Sequence, residues 1–142
     1  MKNSIVIKIP FGFKGELYEP KSRIDLDLWM RREQGDFDKL IRQVAYENGI
    51  GSYSYELEVM ESSEAFYESP TGLAKPFWNE EAEHFDFEGF MQHWQEMQAQ
   101  AVLKDIHQAI FGEPLDVDSA TYQAMLKAYW AGQKARTTNN LL

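Results

Sequence analysis

Three histidines and a dense set of carboxylates are the groups in this 142-residue chain with the strongest claim to chemistry. Glu81-Ala82-Glu83-His84 sets a carboxylate three residues ahead of an imidazole. On a helix that spacing turns both side chains to one face, as carboxylate-bridged metal sites require. Such a site also needs a second Glu-x-x-His pair and further carboxylates on facing helices. The last predicted helix has no carboxylate in its body, and His84 precedes the predicted cap of its own helix. Glu81 and His84 are therefore metal candidates on spacing alone, and no metal or other cofactor is expected. His93 and Glu96 stand in the reverse order and fall opposite an apolar stripe, facing water. Asp116-Val117-Asp118 lacks the glycine and the terminal glutamate of a calcium loop.

Other chemistries lack their residues. The glycines are dispersed and match no phosphate-binding loop. No serine sits in a Gly-x-Ser-x-Gly turn. The absence of cysteine removes disulfides, thiolate metal sites and thiol nucleophiles. No catalytic residue is assigned.

Charge is more informative. The net charge is −9, and its distribution is uneven. Residues 1–55 sum to +1 and residues 89–142 to −1. Residues 56–88 hold ten acids against Lys75 alone. A surface of that sign repels nucleic acid and anionic lipid and attracts cationic partners, so neither nucleic acid nor membrane is an expected partner. Four large aromatics, Phe66, Tyr67, Phe77 and Trp78, lie in the same stretch. These rings either fold back over the core as a lid or serve as anchors for a partner steered in by the acids. The candidate partner-binding residues are Glu61, Glu64, Glu68, Phe66, Tyr67, Phe77 and Trp78.

The elements that position these residues follow from periodicity. Ser4–Phe13 opens on Ile5-Val6-Ile7-Lys8-Ile9 and reads as a strand. Gly12 and Gly15 around Lys14 signal a hairpin. The return strand runs over Glu16–Tyr18 and resumes at Arg23–Leu28, where Ile24, Leu26 and Leu28 alternate with charges. Asp36 caps a helix that buries Phe37, Leu40, Ile41, Val44 and Ala45 and stops at Gly49. Tyr53, Tyr55, Leu57 and Val59 alternate with polar residues and predict a half-buried strand. Residues 61–79 read as loop, with a short strand at Ala65–Glu68.

Asp86 or a neighbour caps a long helix that ends near Phe111, with Gly112 and Pro114 as stop signals. Its apolar side rotates by about a quarter turn from Phe90, Trp94 and Met97 to Val102, Leu103, Ile106 and Ile110. A last helix covers Ser119–Ala135, and residues 137–142 read as a frayed tail. The predicted core is Phe37, Leu40, Ile41, Val44, Tyr55, Leu57, Phe90, Trp94, Met97, Ile106, Tyr122, Leu126 and Tyr129.

The fold class expected is α+β in one domain over residues 1–142. A small antiparallel sheet of three to four strands, mostly from the N-terminal half, packs against one short and two longer helices. Residues 1–60 supply the sheet and first helix, 61–85 an irregular acidic and aromatic segment, and 86–136 the two C-terminal helices. The N-terminal apolar run is too short for a secretory signal, and no stretch is long enough to span a bilayer, so the cytoplasm is the expected location. The function expected is that of a small accessory, immunity or inhibitor-type protein presenting its acidic segment to a basic partner. The alternative is an enzyme or small-ligand module with an aromatic-lined pocket. The many aromatics and the rotating helix face also suggest a homodimer.

Overall fold

A computed structural model describes residues 1–140; positions 141–142 of the expected tail lie outside the described residues. The fold is α+β, with a three-stranded antiparallel sheet of order β4-β1-β5 and two two-stranded ribbons. The chain divides into two compact units, residues 1–91 and 92–142.

In the first unit β1 (Ser4–Lys8) is the central strand. Its β-branched run alternates cleanly: Ile5 and Ile7 are fully buried on one side, while Ser4, Val6 and Lys8 occupy the other. β2 (Phe11–Phe13) and β3 (Glu16–Tyr18) form the hairpin signalled by Gly12 and Gly15. Lys14 and Gly15 both have positive φ, as a two-residue turn of the primed type demands. β4 (Lys21–Asp25) pairs with β1 from Ser4↔Asp25 to Lys8↔Lys21.

The expected strand over Arg23–Leu28 ends at Asp25. That carboxylate accepts hydrogen bonds from the backbone N–H of Asp27 and Leu28 and so starts α1 (Leu26–Glu33). Leu26, Trp29 and Met30 then bury at helical spacing, and Leu28 turns outward. A local cap here overrides an alternation of only three apolar residues.

α2 (Phe37–Glu47) begins at Asp36 as expected, and Gly49 at φ 75° follows its C-cap. Leu40, Ile41, Val44 and Ala45 are buried. Phe37, expected inside, keeps much of its surface in water while its ring edge meets Phe87 at 5.4 Å.

The expected strand at 53–59 is instead a helix, α3 (Tyr55–Glu61). The Ser54 hydroxyl accepts from Leu57 N–H, and Glu56 and Glu58 occupy the first turn, where the helix dipole favours acids. Leu57 and Met60 are buried, whereas Tyr55 is exposed, because helical spacing separates residues that a strand would align.

β5 (Phe66–Thr71) adds the third strand, longer than the expected Ala65–Glu68. Its pairing with β1 shifts register between Ser4 and Val6, next to Ser69 at φ 51°. Pro70 is tolerated because β5 lies at the sheet edge. A 3-10 turn, Gly72–Phe77, follows. Asn3 holds it down: its amide donates to Asp27, and its carbonyl oxygen accepts from Leu73 N–H at 2.8 Å. Gly72 has φ 60°, and a Cβ there would lie 2.2 Å from the Asn3 carbonyl oxygen. The short ribbon of β6 (Trp78–Asn79) and β7 (His84–Phe85) then runs beside β5, tied by Tyr67 N–H to Glu83 O. That bond shields part of an otherwise open edge.

α4 (Phe87–Phe111) starts where the sequence places it, with Asp86 accepting from Gly89 N–H, and stops at Gly112. In the second unit α4 is followed by α5 (Ala120–Asn140), which runs past Ala135. Ser119 caps α5 by accepting from Tyr122 N–H. Leu103, Leu115 and Tyr122 form the buried centre, with Val117, Met125, Leu126 and Tyr129 packed on it. Ile106 is not part of it. Leu103 and His107 take the inward positions, and Ile106 is turned outward. The His107 Nδ1 lies 3.0 Å from the Glu113 carbonyl and pins the turn between the helices. No helix among the described residues is long and apolar enough to cross a membrane.

Candidate interaction surface

The ten acids of residues 56–88 sit on five supports. Glu56, Glu58 and Glu61 ride on α3, and Glu64 on the loop after it. Glu68 projects from β5. Glu80, Glu81 and Glu83 cluster in the turn between β6 and β7, with Asp86 and Glu88 at the start of α4. Glu61 pairs with Arg42 at 3.8 Å. Glu58, Glu64, Glu80, Glu81, Glu83 and Glu88 are exposed and make no ion pair among the described residues.

Glu68 differs from the rest. It shares the outer face of the sheet with Lys8, Lys21 and Arg23, because β1 aligns all of them on the side opposite Ile5 and Ile7. Its carboxylate bonds Lys21, and that hydrogen bond, with the charges of Lys21, Lys8 and Arg23, holds its pKa below the usual carboxylate range. The local balance there is basic, so Glu68 is a neutralised member of the acidic set.

The aromatics occupy different positions from those an anchor would need. Tyr67 is buried, with its ring edge-on to Phe87 at 5.3 Å. Burial pushes its hydroxyl pKa up to about 12. Trp78 is half-buried, and its indole N–H donates to the Tyr67 carbonyl at 2.7 Å. Phe77 meets Phe90 edge-on at 6.2 Å, and Phe66 is half-buried on β5. Tyr67, Phe77 and Trp78 thus secure the β6–β7 ribbon to the core. They join the lid.

The strand reading of 53–59 concealed the exposure of two tyrosines. Tyr53, in the connection between α2 and α3, and Tyr55, at the start of α3, are fully or largely exposed, as is Tyr46 in the last turn of α2. Nearby, Leu17 is exposed in β3 of the hairpin, and Tyr18 stacks on Phe11 at 4.9 Å. The Tyr18 hydroxyl bonds Glu16, which raises its pKa, with partial desolvation and the charges of Glu16 and Glu56 acting in the same direction. α3 packs beside β2 of the hairpin, which brings the charge of Glu56 within range of Tyr18. An open groove of about 260 Å³ runs between Leu17, Tyr18, Glu19 and Pro20 on one side and Asn48 and Ile50 on the other. Acids and exposed rings therefore adjoin on one part of the first unit.

The metal candidates do not converge. Glu81 lies in a turn and His84 in β7, so the helical geometry that would align them is absent. No group of three His, Asp or Glu side chains among the described residues is placed to hold an ion. In the second unit an aromatic groove of about 280 Å³ is lined by Trp94, Gln95 and Gln98 of α4 and Tyr129, Trp130 and Gln133 of α5. No protein-family model, characterised protein or solved structure matches the chain.

Proposed function

We propose that the protein works by binding a protein partner with a basic surface, as an accessory, immunity or inhibitor-type protein, and that the acids of residues 56–88 attract that partner. The observation that supports this reading most is the exposure of Glu58, Glu64, Glu80, Glu81, Glu83 and Glu88 without an ion pair among the described residues. Unpaired like charges cost stability by repelling one another, and they raise the encounter rate with a cationic partner by about 10- to 1000-fold. Tyr53 and Tyr55, exposed beside Glu56 and Glu58, supply large rigid rings of the kind that dominate interface energy.

The test is affinity capture from the native cell extract with the wild-type chain and with a Glu58→Gln, Glu80→Gln, Glu81→Gln, Glu83→Gln variant. The wild type should retain a basic protein that the variant loses. Equal retention of that protein by both would reject the reading. A small-ligand module is the second reading, supported by the groove of Trp94, Tyr129 and Trp130. A saturable change in tryptophan fluorescence with a neutral small molecule, abolished in Trp130→Ala, would favour it.

A further inference from the structure

We infer, on the small-ligand reading of the groove of α4 and α5, that its ligand is a neutral saccharide, held through one or two sugar rings. The lining is three aromatic rings, Trp94, Tyr129 and Trp130, and three carboxamides, Gln95, Gln98 and Gln133. The helical period gathers them. Trp94 and Gln98 stand four residues apart on α4, as Tyr129 and Gln133 do on α5, so on each helix a ring and an amide are neighbours on one side. The two helices share a buried centre of Leu103 and Tyr122 nearer their connection, and so run antiparallel. That direction sets Trp94 across from Gln133 and Gln98 across from Tyr129. Rings and amides therefore alternate around the groove.

Three features select a sugar. The first is charge. No charged side chain lines the groove, and residues 89–142 sum to only −1. An ion entering there would shed water without gaining a partner of opposite sign, so the ligand is neutral. The second is the pairing of ring faces with amides. Tyr129 and Trp130 meet nearly perpendicular, at 79° with centroids 5.1 Å apart, and form a corner with a floor and a wall. Trp130 is 39% exposed, so its ring is within reach of a ligand. The face of an aromatic ring is negative and attracts the C–H face of a sugar, whose hydrogens are slightly positive. Each carboxamide both donates and accepts hydrogen bonds, as sugar hydroxyls do. Gln95 and Gln98 are exposed, and their amides make no hydrogen bond among the described residues. A wholly apolar ligand would cover those amides without replacing the water they bond, which opposes its binding. The third feature is size. About 280 Å³ lies near the lower end of ligand sites and matches one or two small rings.

Titration of the full chain with maltotriose, cellotriose and triacetylchitotriose, followed by tryptophan fluorescence and calorimetry, tests the assignment. At least one should bind saturably with a Kd between about 10 μM and 1 mM, the range expected where few atoms are engaged. Trp130→Ala should weaken that binding by about tenfold or more, whereas Trp130→Phe, which keeps a ring face, should retain most of it. A Gln95→Ala, Gln98→Ala variant should also weaken it, with an unchanged melting curve because both side chains are exposed. The Glu58→Gln, Glu80→Gln, Glu81→Gln, Glu83→Gln variant should bind the sugar as the wild type does, which separates this site from the acidic surface. Adenosine and indole are the controls for a flat ring without the sugar's hydroxyl rim. Saturable binding of either control by a chain that takes none of the three sugars overturns the saccharide assignment and leaves the small-ligand reading standing. No saturable binding of any probe overturns both. Sugar binding that survives the Trp130→Ala and glutamine variants overturns the placement of the site in this groove.

Discussion

Trp78→Ala distinguishes a ring that holds the fold from a ring that greets a partner. The indole is half-buried, and its N–H is the donor to the Tyr67 carbonyl at 2.7 Å. Removing a fully enclosed Trp or Phe costs about 3–5 kcal/mol, so half enclosure gives about 2 kcal/mol. Losing the hydrogen bond adds about 1 kcal/mol. The sum, about 3 kcal/mol, is a large share of the ~5–15 kcal/mol that keeps a domain folded. For a unit spanning residues 1–91 each kcal/mol moves Tm by about 4–8 °C, so a fall of about 12–24 °C is expected. Trp78→Phe keeps most of the apolar contact and should lose only about 1–2 kcal/mol. Thermal and urea denaturation followed by circular dichroism measure both. A Trp78→Ala midpoint within about 0.5 kcal/mol of wild type, joined to a loss of partner binding, would refute the assignment of this ring to the core.

Two further predictions concern the same neighbourhood. Burial penalises the Tyr67 phenolate, so the folded chain binds that proton more tightly than the unfolded chain, whose tyrosines ionise near 10. Stability from this group is intact below about pH 10 and falls as pH rises toward about 12, by about 2–3 kcal/mol. Alkaline unfolding should show that slope in the wild type and lose it in Tyr67→Phe; an equal slope in both would remove Tyr67 as its source. Gly72→Ala should destabilise by about 1–3 kcal/mol, because φ is positive there and the added Cβ would press on the Asn3 side chain and the Lys2 carbonyl. A neutral result by urea denaturation would mean that the Asn3 contact is not rigid.

The parts of the fold that the sequence disclosed are those with local punctuation. Asp36 and Asp86 cap the helices expected of them, Ser119 caps the helix expected to begin with it, and Gly49 and Gly112 stand just past two helix ends. The two misread segments share one cause. Between 53 and 59, and again between 23 and 28, apolar residues alternate over a span short enough to fit either period. The deciding residues were Ser54 and Asp25, whose side chains close the first turn of a helix. Ser54 and the helix-favouring pair Leu57 and Met60 were the signals available for α3.

At the candidate site, composition showed where the acids are but not what they face. Glu68 is drawn into a basic patch by pairing across β1 with Lys21 and Arg23, a relation set by strand register. The side of β5 that Tyr67 takes is likewise set by the Ile7↔Tyr67 pairing, which no local pattern in 61–79 encodes. Tyr55 is exposed because α3 is a helix, and Tyr53 because it lies in the turn ahead of it, so one misread segment hid both rings.

The most direct test of the acidic surface is the association rate constant for the captured basic partner, measured against salt. Between about 50 and 500 mM salt the Debye length shrinks from about 14 to about 4 Å, which removes steering by exposed charges. For the wild type the rate should fall at least tenfold across that range. For the Glu58→Gln, Glu80→Gln, Glu81→Gln, Glu83→Gln variant it should begin lower and vary far less, with the dissociation rate nearly unchanged. A wild-type rate that is flat with salt and matched by the variant would contradict the account, leaving these carboxylates as solvated surface.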